Sequence, residues 1–108
     1  MNYKIETIPR FDKDVKKLKK RFPKIKDDLA LLLDELSKNP QLGTHLENSI
    51  FKVRLQNSSI PTGKSGGYRI ITYYVKDKVL YLVTMYSKKD TDTIITEKLK
   101  EIIKNELS

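Results

Sequence analysis

The sequence predicts an α+β domain: two N-terminal helices packed on one face of a small antiparallel sheet of about four strands, closed by a C-terminal helix. Three observations carry this reading. Apolar residues recur at helical spacing through residues 11–36 and again through 94–103. Between them, stretches beginning at Phe51, Tyr68 and Val79 have strand length and are rich in β-branched and aromatic residues. The turn between the last two is short, which makes those strands antiparallel neighbours.

Taken in order, residues 2–7 alternate weakly around Tyr3 and Ile5, as a short edge strand does. Phe11, Val15, Leu18 and Phe22 form a helical stripe, with lysines filling the rest of the surface. Pro23 breaks that pattern and suits the first turn of a second helix. The apolar face of that helix is Ile25, Leu29, Leu32, Leu33 and Leu36; Asp27 and Asp28 sit near its positive end. Asn39 precedes Pro40 and ends it. Residues 41–48 read as a loop. Phe51, Val53 and Leu55 then alternate with Lys52, Arg54 and Gln56, a half-buried strand whose apolar side faces the helices. The long connection "NSSIPTGKSGG" leads to "YRIITYYV", apolar on both parities apart from Arg69 and Thr72, as a central strand is. "KDK" turns into "VLYLVTMY", and Ile94, Ile95, Leu99, Ile102 and Ile103 mark the closing helix.

A chain of 108 residues fits one domain spanning 1–108. It holds no long apolar run of membrane-spanning length and no secretory h-region near residue 1. There is no cysteine, so disulfides and thiolate metal sites are excluded and a cytoplasmic setting is expected. The net charge of +8 is unevenly spread: residues 1–26 carry ten cations against three acids, and residues 50–90 carry eight against two. Such a surplus suits a polyanionic partner, and equally a solvated lysine-rich surface.

The segment Phe51–Val75 sharpens this. It contains Lys52, Arg54, Lys64 and Arg69, and no Asp or Glu. Alternation puts Lys52 and Arg54 on one face, and Arg69 on the neighbouring strand can join them. Like charges so close repel by about 1 kcal/mol at an intermediate dielectric. A structural role would add an acid; its absence points to an anion from outside, with phosphate the usual candidate.

The ordered set of a helix pair ending in "NP", a loop with Gly43, "KVR", a Gly/Ser loop, "GYRIITYYV" and "YLVTMYSKKD" resembles the RelE/ParE superfamily of bacterial toxins, nearest the RelE and HigB branch of messenger-RNA interferases. The resemblance spans nearly the whole chain. It implies a small twisted antiparallel sheet with two N-terminal helices on one face, a ribosome-dependent endoribonuclease that acts on translated mRNA, and a cognate antitoxin protein as partner. It also implies that Lys52 and Arg54 are the paired cations of the first strand after the helices and Arg69 a phosphate-binding arginine. Lys88 and Lys89 stand at a basic pair after the last strand. The tyrosine that some members carry near the final helix is absent, since Ile94 and Ile95 stand there. Tyr86 occupies a "Y-x-K" position and can take its place.

RNA cleavage without a metal or cofactor requires that a 2′-hydroxyl lose a proton, that the phosphorane's charge be stabilised, and that the 5′ leaving oxygen gain a proton. Lys52 can serve the first need, Arg54 and Arg69 the second, and Tyr86 or Lys88 the third. The one histidine, His45, reads as a surface or packing residue. Lys64 and Ser65 lie in "GKSGG", which lacks P-loop spacing and reads as a loop touching ribosomal RNA. Lys16 and Lys20 on the first helix suit the same partner, and Tyr73 can stack a base. Two other function classes fit the same fold pattern: a gyrase-inhibiting ParE-like toxin, which would not need the Lys/Arg set, and a plain nucleic-acid-binding module, for which no recognition helix is evident.

Overall fold

The computed structural model describes residues 2–61, 66–90 and 94–107. Its elements follow the order β1 (Lys4–Thr7), α1 (Pro9–Arg21), α2 (Ile25–Lys38), β2 (Thr44–Glu47), β3 (Ile50–Leu55), β4 (Tyr68–Val75), β5 (Val79–Ser87) and α3 (Thr96–Leu107). The strands form one sheet in the order β1-β5-β4-β3-β2. The α+β class is as the sequence predicts. The sheet has five strands rather than about four, and its β1–β5 pair is parallel while the other three are antiparallel. No described helix is long and apolar enough to cross a membrane.

The fifth strand lies inside the stretch read as a loop. Asn48 and Ser49 both take positive φ, 50° and 63°, and join β2 to β3 through a two-residue turn. That is the geometry of a tight hairpin, here without the glycine that usually announces one. Just before β2, Gly43 has φ 95°, and a Cβ there would lie 2.4 Å from the Lys52 carbonyl oxygen. Only glycine lets the backbone approach β3 so closely.

Cross-strand partners share a face of the sheet, so the register sorts the side chains. Val53, Ile70 and Met85 form one row and Leu55, Tyr68 and Ser87 another. Both rows look toward α1 and α2, where the Tyr68 ring meets Phe22 edge-on at 5.8 Å. Phe11, Leu18, Phe22, Ile25, Leu32 and Leu36 complete that core. Tyr3 joins it, donating from its hydroxyl to the Leu36 carbonyl and meeting Tyr74 edge-on. Leu33, expected on the buried face of α2, is 40% exposed. Helix α3 covers part of the opposite face, burying Leu99 and Ile102 and setting Ile103 and Leu107 beside Tyr73 and Tyr81. It starts two residues later than the apolar pattern suggests, so Ile94 and Ile95 precede it, and Ile95 is 68% exposed.

The β1 ladder ends at Thr7 opposite Leu82, with Ile8 N–H donating to the Leu82 carbonyl. Beyond that point Asp14 on α1 takes over the strand edge: its Oδ2 accepts from Met85 N–H at 3.1 Å and from the Thr84 hydroxyl. A carboxylate thus stands in for the missing neighbour strand.

Asp28, expected only to favour the N-terminal end of α2, is buried and has a second task. Its Oδ2 accepts from Ser58 N–H at 3.0 Å, and Ser59 Oγ accepts from Lys24 N–H at 3.0 Å. These bonds tie the β3–β4 connection to the start of α2. Burial, with the nearby charge of Asp28, pushes the Tyr68 hydroxyl up to about 12. Between about pH 10 and that value the unfolded chain releases this proton and the folded chain keeps it. Stability should therefore fall as pH rises through that window, at up to about 1.4 kcal/mol per pH unit from this group. Urea unfolding of wild type and Tyr68→Phe across the window checks this; identical pH slopes would remove Tyr68 as the cause.

Candidate functional site

The cations of β3 and β4 are brought together by register. Arg54 lies directly opposite Arg69, and Arg69 directly opposite Tyr86. The three make one row across β3, β4 and β5 on the face away from α1 and α2. Directly opposed Cβ atoms stand about 5 Å apart. Lys52 lies two residues along β3 from Arg54, on the same face, in the next row with Ile71 and Thr84.

Tyr86 reaches this face because β5 is irregular. Ile71 pairs with Thr84 and Thr72 with Leu82, so Val83 is an extra residue in β5. Unbroken alternation from Leu80 and Leu82, both on the helix side, would place Tyr86 beneath the helices. The bulge reverses the parity and turns Tyr86 toward Arg69 instead.

The row is graded in exposure. Arg54 is exposed, Lys52 is half-buried, and Arg69 and Tyr86 retain only 3% and 8% of their surface. The sequence suggests three cations on an open concave surface; Arg69 instead lies within the protein, where its Nη1 donates to the Tyr68 carbonyl at 3.1 Å. Burial pulls the Arg69 guanidinium below its ordinary pKa, and the charge of Arg54 pulls it further, while Tyr86 acts in the other direction. Arginine stays charged even so, and the electrostatic conflict with Arg54 stays in the fold.

The other expected residues are distributed differently. The half-buried Lys88 follows β5 and donates its backbone N–H to the Gly67 carbonyl at 2.9 Å, two residues from Tyr86 and one from β4. Lys89 is exposed next to it, and Lys16 and Lys20 are exposed on α1. Tyr73 is not part of the row. It pairs with Ile50 and Tyr81, stacks on the Tyr81 ring at 6.3 Å, and is flanked by Ile103 of α3. Lys64 and Ser65 lie outside the described residues. His45 is exposed at the sheet edge, with its ring 5.1 Å from that of Phe51, in keeping with a surface or packing residue.

Beside Lys52 and Arg54 the sheet edge opens into a cleft of about 380 Å3 that also takes in Gly43, Thr44 and Glu35. Among the described residues no three His, Asp or Glu side chains converge as metal ligands would. What the arrangement offers is an exposed guanidinium and a flanking amine, backed by a buried second guanidinium and a phenol, groups that can hold an anionic oxygen and transfer a proton. No protein-family model matches the chain.

The conflict between Arg54 and Arg69 has a measurable consequence. Arg54→Gln removes the like charge opposite Arg69 without disturbing a buried side chain. Discounted for the exposure of Arg54, it should raise stability by about 0.3–0.8 kcal/mol. The urea midpoint checks this; a midpoint that falls would mean Arg54 supports the fold instead.

Proposed function

We propose that the protein is the toxin of a toxin–antitoxin pair, a ribosome-dependent endoribonuclease that cleaves translated mRNA in the cytoplasm. The observation that carries this reading is the cross-strand row Arg54–Arg69–Tyr86 with Lys52 alongside. In it, Arg54 contacts a non-bridging phosphate oxygen directly, and buried Arg69 reinforces the positive field from beneath. Lys52 takes the proton of the 2′-hydroxyl as its oxygen attacks phosphorus. The bond from phosphorus to the 5′ oxygen breaks, and Tyr86 or Lys88 returns a proton to that leaving oxygen. The products carry a 2′,3′-cyclic phosphate and a 5′-hydroxyl.

Two amine or phenol groups and two arginines do not by themselves align a 2′-hydroxyl for in-line attack. The decoding site of the ribosome supplies that alignment in this reading, with Lys16, Lys20 and Lys89 facing ribosomal RNA. The antitoxin neutralises the protein by laying an acidic segment across Arg54, where it excludes RNA.

Induced expression of wild type should arrest growth and translation, and Arg54→Ala, which leaves the buried row intact, should relieve the arrest by at least about tenfold in surviving colonies, the worth of one lost charge-assisted contact. Primer extension on a translated message should show cuts only when ribosomes are present. Equal toxicity of a folded Arg54→Ala variant would take Arg54 out of the mechanism. Absence of cuts together with trapped gyrase–DNA complexes would move the assignment to a gyrase-inhibiting toxin.

A further inference from the structure

Where β1 has ended, β5 runs on beside α1, and a cleft of about 370 Å3 opens between them. Lys17 and Arg21 line it from α1, one helical turn apart, and Met85 and Tyr86 line it from β5. Asp14 and Asp90 add a carboxylate each. Tyr86 is therefore common to this cleft and to the row with Arg69, and the cleft begins where the row stops.

We propose that the cleft between α1 and β5 is a second nucleotide subsite, holding the sugar and phosphate of a single-stranded RNA one step past Tyr86. The inference rests on the reading of the Arg54–Arg69–Tyr86 row as an RNA site. The volume is near the small end of ligand clefts and suits one nucleotide. Arg21 Nη1 pairs with Asp90 Oδ2 at 2.5 Å, and both side chains are about half exposed. Exposed pairs of this kind contribute little, so a phosphate can take Arg21 from Asp90 at small cost, with Lys17 beside it.

The carboxylates decide between kinds of anion. The side chains of a peptide bearing Asp or Glu bring only negative acceptors into a cleft that already holds Asp14 and Asp90, and leave backbone N–H groups as its donors. A nucleotide brings a phosphate for Arg21 and Lys17 and also donors, the ribose hydroxyl and any exocyclic amine. Asp14 Oδ2 is occupied by Met85 N–H and Thr84, but a carboxylate has further acceptor positions. Asp90, once released by Arg21, regains the acceptor that Arg21 held.

The test is fluorescence anisotropy with an end-labelled single-stranded RNA of about eight nucleotides, without ribosomes, at several salt concentrations. Lys17→Ala and Arg21→Gln should each weaken binding about five- to tenfold and reduce the salt slope by about one. The Arg21 guanidinium carbon lies 4.8 Å from the centre of the Phe22 ring; Arg21→Gln gives up that contact at an exposed position, and Lys17 is exposed too, so both variants should fold. Asp90→Asn should tighten binding by at least about twofold, because Arg21 is freed and a repelling charge removed. Lys76→Ala, at the far β4–β5 turn, should change it by less than about twofold and serves as the charge-matched control. If Arg54→Ala weakens binding while the Lys17 and Arg21 variants behave like Lys76→Ala, the sheet row stands and the subsite is overturned. If wild type does not bind RNA at low salt, both are overturned. If a glutamate peptide of equal charge displaces the RNA with the same sensitivity to Lys17 and Arg21, the cleft belongs to an acidic protein partner and the subsite is again overturned.

Discussion

One residue of extra length in β5 decides how both faces of the sheet are used. Val83 is inserted between Leu82 and Thr84, which pair with consecutive residues of β4. N-terminal to it, Leu80 and Leu82 pack under the helices; C-terminal to it, Met85 takes over that role and Tyr86 turns to the opposite face. A strand with unbroken alternation would keep Leu80 and Leu82 inside and would direct Tyr86 inside with them. The bulge thus lets one strand serve the core through its whole length and still present a phenol beside Arg69. The same stretch of β5 is where β1 stops and Asp14 closes the edge, so the core, the cation row and the α1–β5 cleft all turn on one local irregularity.

The row itself works against stability. Arg69 is buried opposite a second arginine, and both its burial and that neighbour disfavour its charge. A core position usually avoids this, because a hydrophobic residue of similar size is cheaper to bury. Disagreement between local preference and fold is typical of functional positions. In the proposed function, the gradient from exposed Arg54 to buried Arg69 divides the labour: the first meets the ligand, and the second raises the potential from a fixed place, where little reorganisation is needed.

Much of the fold was legible in the sequence because most of its signals are periodic. The stripe from Phe11 to Phe22, the leucines of α2 and the alternation around Val53 each specify an element and a face. Strand β2 leaves no such signal, because its turn, Asn48–Ser49, carries no glycine and a short polar strand has no periodic signature. Helix position alone puts Asp28 at the positive end of α2; its bond from Ser58 N–H comes from thirty residues away in the sequence, which no local pattern announces. Lys52, Arg54 and Arg69 were identifiable from residue type and parity, but the burial of Arg69 was not, since it depends on tertiary packing. Lys17 and Arg21 share a helix face with Asp14, a visible spacing, but only the placement of β5 beside them sets them apart from the rest of a lysine-rich surface.

In the proposed function, the bulged strand pair, the cation row and the neighbouring cleft of mixed charge form one path for a single RNA strand. The central claim is that Arg54 is where the phosphate sits. The most direct measurement is an NMR titration of the arginine Nε–Hε, tyrosine ring and backbone amide signals with a short single-stranded RNA. The account predicts that the Arg54 signal shifts first and furthest, that Arg69 follows through the changed field, and that the Tyr73 and Tyr81 rings under α3 stay unmoved. Shifts concentrated at α3, with Arg54 unchanged at saturation, would contradict it.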